Sequence, residues 1–344
     1  MDPSALKLGV AGAGSIGCYV GGELAARAGV DVVFLGRPRL AAELADHGLR
    51  LRALGEERGG VPPGGARVVV EPAALADRDL VLCCVKSAQT AEMARALTPH
   101  LRPGAVVVSL QNGVRNAVLL REHLDGRRVV GGIVDFNVIS RGAGVFERTT
   151  DGPITLERPS SPAELALAQG LARAGLESRH VDDIGPHQWT KLLVNLNNAV
   201  SALSGAPTAE LLLSRGYRRI IAAVVAEGLA VVRAKGVKPP ALRGVPVGLM
   251  PAVLRLPTLL ARLVLGRQIK VGADSRSSMW EDLTRGRPTE VDYLNGEIVR
   301  AAQAIPGVEA PLNAALVARV HEAERAGSGP PNLSAAALAR AIGL

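Results

Sequence analysis

Near the amino terminus, Gly12-Ala13-Gly14-Ser15-Ile16-Gly17 follows the strand-like run Leu6 to Val10 and opens a helical pattern that continues to Ala28. Each glycine of this spacing has a mechanical reason: the first permits a tight turn, the second lets backbone approach a pyrophosphate, and the third allows close packing of helix on strand. The free amides and the positive dipole end of the helix then face the phosphates. A second strand begins at Val30, so the context is that of a dinucleotide-binding turn in which residues 12 to 17 all contact the cofactor. At the end of that second strand, an Asp or Glu would accept hydrogen bonds from ribose hydroxyls. Here the chain has Gly36-Arg37-Pro38-Arg39. A guanidinium cannot accept those bonds but pairs bidentately with a 2′-phosphate, so the expectation is NADP(H) over NAD(H), with Arg37 as principal contact.

A second set of polar residues lies farther along. Lys191 and Asn195 are one helical turn apart and share a face. Burying both among Leu192, Leu193, Val194 and Leu196 without partners is costly, which points to a cleft-lining role. Lys86 and Asn112 follow the fourth and fifth β runs, at the carboxyl ends of strands where ligands of open α/β sheets collect. His180 and His187 lack neighbours in a ligand pattern and read as core or surface histidines, so no metal is expected. No GxSxG and no paired catalytic carboxylates stand out.

The elements that must position these residues follow from patterning. Valine-rich runs at Leu6–Val10, Val30–Leu35, Val68–Val70, Leu80–Val85, Ala105–Leu110 and Val129–Val134 alternate with segments long enough for crossover helices. The fold class is therefore α/β, with a Rossmann-type, mostly parallel sheet covered on both faces. Arg58 to Gly65 (RGGVPPGG) reads as a turn-forming connection, and Val145–Arg148 and Ile154–Glu157 as extra strands. Beyond about Ala163 helical runs take over, among them Trp189–Leu203, Ala209–Lys235 and Thr289–Ala304. The expected division is 1–180 for the cofactor domain, 181–326 for an all-helical second domain, and 327–344 for a loose tail announced by Gly-Ser-Gly-Pro-Pro.

Length and composition narrow the class further. At 344 residues and 48% hydrophobic composition the chain has material for about two domains, which excludes disorder and small disulfide scaffolds. The net charge of +8 is scattered without basic blocks. Aromatics at 2% leave few stacking platforms, so nucleic acid is not expected and a small anionic ligand is. The apolar run Val245–Leu265 is interrupted by arginines and prolines, so no transmembrane span is expected, and the prolines of Leu249–Leu265 argue against one continuous membrane-surface helix there. The first residues show no signal-peptide pattern, and Cys83 and Cys84 form no CxxC pair, which fits a reducing cytoplasm.

Four blocks in order complete the pattern: Gly12 to Gly17; Val85-Lys86-Ser87 with Gln111-Asn112-Gly113; Trp189 to Asn195 (WTKLLVN); and Ser277-Ser278-Met279 followed by Thr289 to Gly296 (TEVDYLNG). Together they span most of the chain, which thereby resembles the ketopantoate reductase family, the 2-dehydropantoate 2-reductases. The resemblance implies an amino-terminal Rossmann domain, a helical second domain, and NADPH-dependent reduction of a 2-keto acid in the cleft between them. It makes Lys191 the general acid that protonates the new hydroxyl, with Asn195 binding substrate and Glu290 near the lysine helping to bind it. Ser278 matches the serine that contacts the substrate carboxylate. Lys86 lies close to cofactor and substrate, and Asn112 near the nicotinamide and the reacting oxygen.

Departures from the family pattern bear on the substrate. The family's second substrate asparagine is matched by Asn198, but the run Asn195-Leu196-Asn197-Asn198-Ala199 is one residue short, which leaves that role open. Thr208 stands where another substrate asparagine is common, and Lys238–Gly272 is longer than the family's compact form. The leading expectation is reduction of 2-dehydropantoate to pantoate in pantothenate and coenzyme A synthesis. Two alternatives stand beside it: the same chemistry on a bulkier 2-keto acid, and a non-catalytic NADP(H) sensor on the same fold. A homodimer is the expected assembly, closed dimers being the commonest oligomers.

Overall fold

The computed structural model describes residues 1–241, 245–271 and 275–344, without the side chains of 267–271. Of the Lys238–Gly272 segment, residues 242–244 and 272 therefore lie outside the described residues. The chain forms two compact units, Met1–Ile184 and Gly185–Leu344.

The first unit begins β1 (Lys7–Ala11), α1 (Ser15–Ala28), β2 (Asp31–Leu35), α2 (Pro38–His47), β3 (Leu49–Ala53), β4 (Glu56–Val61) and β5 (Arg67–Val69). It continues with β6 (Leu80–Cys83), α3 (Thr90–Leu97), β7 (Val106–Ser109), α4 (Asn116–His123), β8 (Arg128–Val134), β9 (Val138–Gly142), β10 (Val145–Arg148), β11 (Ile154–Glu157), α5 (Pro162–Arg173) and β12 (Ser178–Val181). The main sheet has eight strands in the order β12-β11-β8-β7-β6-β1-β2-β5. Only the β11–β8 pairing is antiparallel. The six strands from β5 to β8 follow the doubly wound order of dinucleotide-binding sheets.

Burial explains why those strands are valine runs rather than alternating ones. Leu80 and Leu82 face one core, shared with Leu24 of α1 and Leu167 of α5. Val81 and Cys83 face the other, shared with Leu97 of α3 and Leu120 of α4. With both faces covered, each position of the strand is apolar.

A second sheet, β4-β3-β10-β9, was not foreseen as a unit. The RGGV of the expected turn-forming connection contributes to β4, because Gly59 and Gly60 allow the strand to lie against Leu49 and Leu51 of β3. Its Arg58 donates to the fully buried carboxylate of Glu23 on α1 through Nε (3.0 Å) and Nη2 (3.2 Å), tying this sheet to the helix that follows the glycine turn.

The second unit carries α6 (Gly185–Asn195), α7 (Asn197–Ser204), α8 (Thr208–Leu213), α9 (Arg215–Ala234), α10 (Met250–Arg255), α11 (Thr258–Val271), α12 (Ser278–Thr284), α13 (Asn295–Gln303), α14 (Pro311–Ala326) and α15 (Ala335–Ala341). The described residues include no helix long and apolar enough to cross a membrane. The expected proline interruption falls at Pro257, between α10 and α11.

Helix α9 is the hub, burying Ile220, Val224, Val225, Leu229 and Val232 among its neighbours. Residues 327–344, expected as a loose tail, instead bring Leu338 (0% exposed) and Ile342 into the core, with α15 packed on α9 and α7. Ser334 caps α15 by accepting from the Ala337 amide, which sets its start after the Gly-Pro-rich stretch.

Candidate active site

In the first unit the glycine turn is held against two strands. The Gly12 and Ala13 amides both donate to the Leu35 carbonyl, at 3.2 and 3.0 Å, so the turn sits at the carboxyl end of β2, two residues before Arg37. Gly12 has φ +91°, and a Cβ there would stand 2.6 Å from both the nitrogen and the Cγ1 of Val85. At Gly17 a Cβ would meet the Gly12 carbonyl oxygen at 2.7 Å. Gly14 differs, with nothing within 4 Å of its would-be Cβ. It is the residue before α1, at the helix end whose first-turn amides have no partner within the helix. This is the cradle a dinucleotide pyrophosphate requires, so the residues present fit the cofactor. Arg37 precedes α2, is exposed and makes no capping bond through its side chain.

Lys86 and Asn112 are both half-buried, on the loops after β6 and β7. A polar network that sequence reasoning missed joins those loops. Ser87 Oγ donates to the Asn112 carbonyl (3.1 Å) and accepts from Asn116 Nδ2 (3.1 Å). Gln111 Nε2 donates to the Val85 carbonyl (3.0 Å) and to Thr90 Oγ1 (2.7 Å), and Thr90 in turn donates to Asn116 Oδ1 (2.8 Å). Ser87, Thr90, Gln111 and Asn116 are all buried. A closed set of satisfied hydrogen bonds rigidifies the segments it links, and here those segments carry Lys86 and Asn112. The signal in the sequence was Gln111-Asn112-Gly113, which reads as a turn; nothing in it shows that Gln111 points inward.

Burial disfavours the thiolate of the cysteines near this loop. All three are free, and burial pushes the Cys83 thiol up to about 12, with Cys18 and Cys84 raised for the same reason. No cluster of three His, Cys, Asp or Glu suited to a metal occurs among the described residues.

In the second unit, Lys191, Val194, Asn195 and Asn198 form a half-exposed stripe, while Leu192, Leu193 and Leu196 are buried on the opposite side. The glycine at 228 lets α9 approach: a Cβ there would lie 2.7 Å from Leu196 Cδ1 and 3.1 Å from Leu193 Cδ2. Trp189 is buried packing. The single helix expected over Trp189–Leu203 is instead broken at Leu196, where Asn197 Nδ2 donates to the Val194 carbonyl at 2.7 Å. An asparagine side chain thus replaces the helical bond that the break removes. A buried amide supports the same point from behind: Asn295 Nδ2 donates to Asn313 Oδ1 (3.0 Å) and more weakly to the Leu196 carbonyl (3.4 Å).

Ser278 is exposed at the first position of α12. Its neighbour Ser277 supplies the cap, accepting from the Trp280 amide (3.1 Å) and donating to the Asn198 carbonyl (3.2 Å). The cap therefore ties the start of α12, where Ser278 lies, to the Asn198 backbone. Thr208 joins the same region, its amide donating to the Ser275 carbonyl at 2.8 Å. Glu290 is half-buried, immediately before a 3-10 turn over Val291–Tyr293, so the helix expected over Thr289–Ala304 is a turn followed by α13.

Comparison with known proteins agrees over nearly the whole length. Residues 8–161 match the family described as Ketopantoate reductase PanE/ApbA, and residues 183–324 its C-terminal counterpart. The chain is 32% identical over 308 residues to a 2-dehydropantoate 2-reductase of Halobacterium salinarum, covering 87% of this chain and 92% of that one. It is 29% identical to the corresponding protein of Pyrococcus horikoshii, covering 94% and 99%. The crystal structure of a PanE/ApbA family ketopantoate reductase from Ralstonia eutropha superposes with a TM-score of 0.78 at 33% identity, over 94% of this chain and 99% of that one. A D-mandelate dehydrogenase solved with NADH and anilino(oxo)acetate shares the fold, at TM-score 0.77 and 22% identity over 94% and 99%. With both units matched and the glycine turn formed, the chain belongs to the ketopantoate reductase family of oxidoreductases.

Proposed function

We propose that this chain reduces 2-dehydropantoate to pantoate with NADPH, in pantothenate and coenzyme A synthesis in the cytoplasm. The observation that carries the reading is the half-exposed polar stripe of Lys191 and Asn195 on α6, continued by Asn198 on α7, beside the buried Leu192, Leu193 and Leu196 in a family-matched unit. The dinucleotide supplies a hydride when bound in the turn of residues 12–17, and the Arg37 guanidinium pairs with its 2′-phosphate. Lys86 and Asn112 are held by the Ser87–Gln111–Asn116 network where the nicotinamide end is handled.

On the keto-acid side, Lys191 gives a proton to the carbonyl oxygen as it becomes hydroxyl. Asn195 and Asn198 orient that substrate by hydrogen bonds, Ser278 holds its carboxylate, and Glu290 binds its polar groups and stands with the lysine. Thr208 and the Lys238–Gly272 segment support a second reading, the same chemistry on a bulkier 2-keto acid.

NADPH consumption with ketopantoate at neutral pH, run against a keto-acid panel, tests cofactor, reaction and substrate together. Lys191→Ala is expected to lower kcat by roughly 10²–10⁴-fold with NADPH binding intact. Tight NADPH binding without acceleration by any keto acid refutes the enzyme and supports the sensor. The homodimer belongs to the same proposal, and sedimentation reading a monomer refutes that part.

A further inference from the structure

The segment that presents Glu290 is fastened to α14 on both sides of that residue. On one side, the Thr289 amide donates to Glu324 Oε1 at 2.7 Å. On the other, Asp292 Oδ1 lies 3.0 Å from His321 Nε2. The opposite ring nitrogen, His321 Nδ1, lies 2.9 Å from Glu324 Oε2, so one imidazole bridges the two carboxylates. Thr289 Oγ1 accepts from the Val291 amide at 3.2 Å, which closes the turn around Glu290. His321 and Glu324 are one helical turn apart on α14, both half-buried. None of the four blocks that carry the family resemblance contains either residue.

We propose that His321 and Glu324 form a clasp that positions Glu290 for the keto acid, with the imidazolium of His321 as the positioning residue. This rests on the assignment of Glu290 to the substrate. A neutral imidazole has one N–H and one lone pair, so it donates to one carboxylate and turns a lone pair toward the other. Only the cation donates to both. Burial works against that charge, yet the bonds from Glu324 and Asp292 outweigh it and raise the His321 pKa. Glu324 moves the opposite way: burial would raise it, but its bonds from Thr289 and His321 hold it below the ordinary range.

The other elements packed on α14 carry charge of both signs, α9 contributing Arg215, Arg218, Arg219 and Arg233 as well as Glu227. Helix α7 has no ionisable residue. Helix α13 offers Glu297 and Arg300, paired to each other at 2.6 Å. On α9, Glu227 is engaged with the Leu312 and Asn313 amides at the start of α14. Because the folded pKa of His321 lies above its ordinary value, the clasp is complete below about pH 6.5 and is lost as pH rises through the folded value.

The test is keto-acid kinetics against pH, with NMR titration of the His321 ring. His321→Ala should lower kcat/KM for the keto acid by roughly ten- to hundredfold, abolish the alkaline rise of keto-acid KM, and leave the KM for the dinucleotide unchanged. His321→Arg, a permanent cation facing both carboxylates, should restore activity and keep keto-acid KM flat into the alkaline range. Asp292→Asn keeps an acceptor but removes a charge, so both the ring titration and the KM rise should move to lower pH; this variant decides the matter if His321→Ala fails to fold. Unchanged keto-acid kinetics in a folded His321→Ala, or a KM rise that stays in place in Asp292→Asn, overturns the clasp. If Glu290→Gln is impaired while His321→Ala is not, the clasp alone fails. If Glu290→Gln is itself unimpaired, the substrate assignment of Glu290 fails and the clasp's kinetic role goes with it.

Discussion

Replacing each of two glycines in the same turn with alanine should produce opposite failures. At Gly12 the added Cβ is forced into a left-handed backbone, φ +91°, and lands 2.6 Å from the Val85 nitrogen. The left-handed conformation costs about 1–2 kcal/mol, and overpacking against backbone costs about 1–3 kcal/mol more. A loss near 3 kcal/mol lowers the melting temperature of a domain this size by roughly 6–12 °C. At Gly14 the backbone is extended, φ −89° and ψ −164°, and the new Cβ meets nothing. Gly14→Ala should therefore melt at or slightly above the parent, since the change restricts the unfolded chain by about 0.4–1 kcal/mol. On the proposed cofactor assignment, its methyl would nevertheless occupy the approach of the pyrophosphate. Loss of one charge-assisted hydrogen bond, about 1.5–3 kcal/mol, weakens NADPH by roughly ten- to hundredfold. Thermal melts and NADPH fluorescence titrations of both variants decide it. Gly14→Ala binding NADPH like the parent, or melting as low as Gly12→Ala, would refute the reading of this turn.

Arg37→Ala should weaken NADPH by roughly tenfold or more while leaving NADH unchanged; tighter parental binding of NADH, measured by direct titration, defeats the 2′-phosphate assignment. Arg218, 0% exposed, donates to the carbonyls of Leu212, Leu213, Leu254 and Leu256 and to Thr258 Oγ1, holding α10 and α11 to the hub helix. Arg218→Met should cost about 3–5 kcal/mol by stranding those acceptors, read by denaturant unfolding, and an unchanged midpoint refutes it. In the first unit, burial would raise the Glu164 pKa, but Arg128 (Nη2 to Oε2, 2.9 Å), Ser161 and the Ser160 amide outweigh it and hold the carboxyl low. Its contribution is thus present above the ordinary glutamate range and is lost as pH falls through the folded value. Glu164→Gln should flatten that acid limb in melts against pH, and an identical limb in the variant rules the assignment out.

Helix α10 to α11 also shows how far composition goes. The sequence rules out a long apolar span there, and the break at Pro257 appears where proline must end a helix. That Leu259 and Leu263 end 76% and 80% exposed is a packing outcome that composition does not contain.

Local rules wrote the glycine turn, the valine strands and the Lys191–Asn195 face directly into the chain. Each depends on residues a few positions apart, where backbone freedom, side-chain alternation and helical spacing act without reference to the rest of the fold. The small second sheet, the break at Leu196, the docked final helix, the Gln111 network and the bridge from His321 to Asp292 were decided elsewhere. Except at Leu196, where Asn197 reaches back only to the Val194 carbonyl, their partners are distant in the chain: Arg58 with Glu23, Asn295 with Asn313, Tyr217 Oη with the Leu333 carbonyl at 2.9 Å. A polar side chain in isolation reads as solvated; only when the tertiary packing removes its water must it find an acceptor, and the acceptor it finds is set by the whole fold.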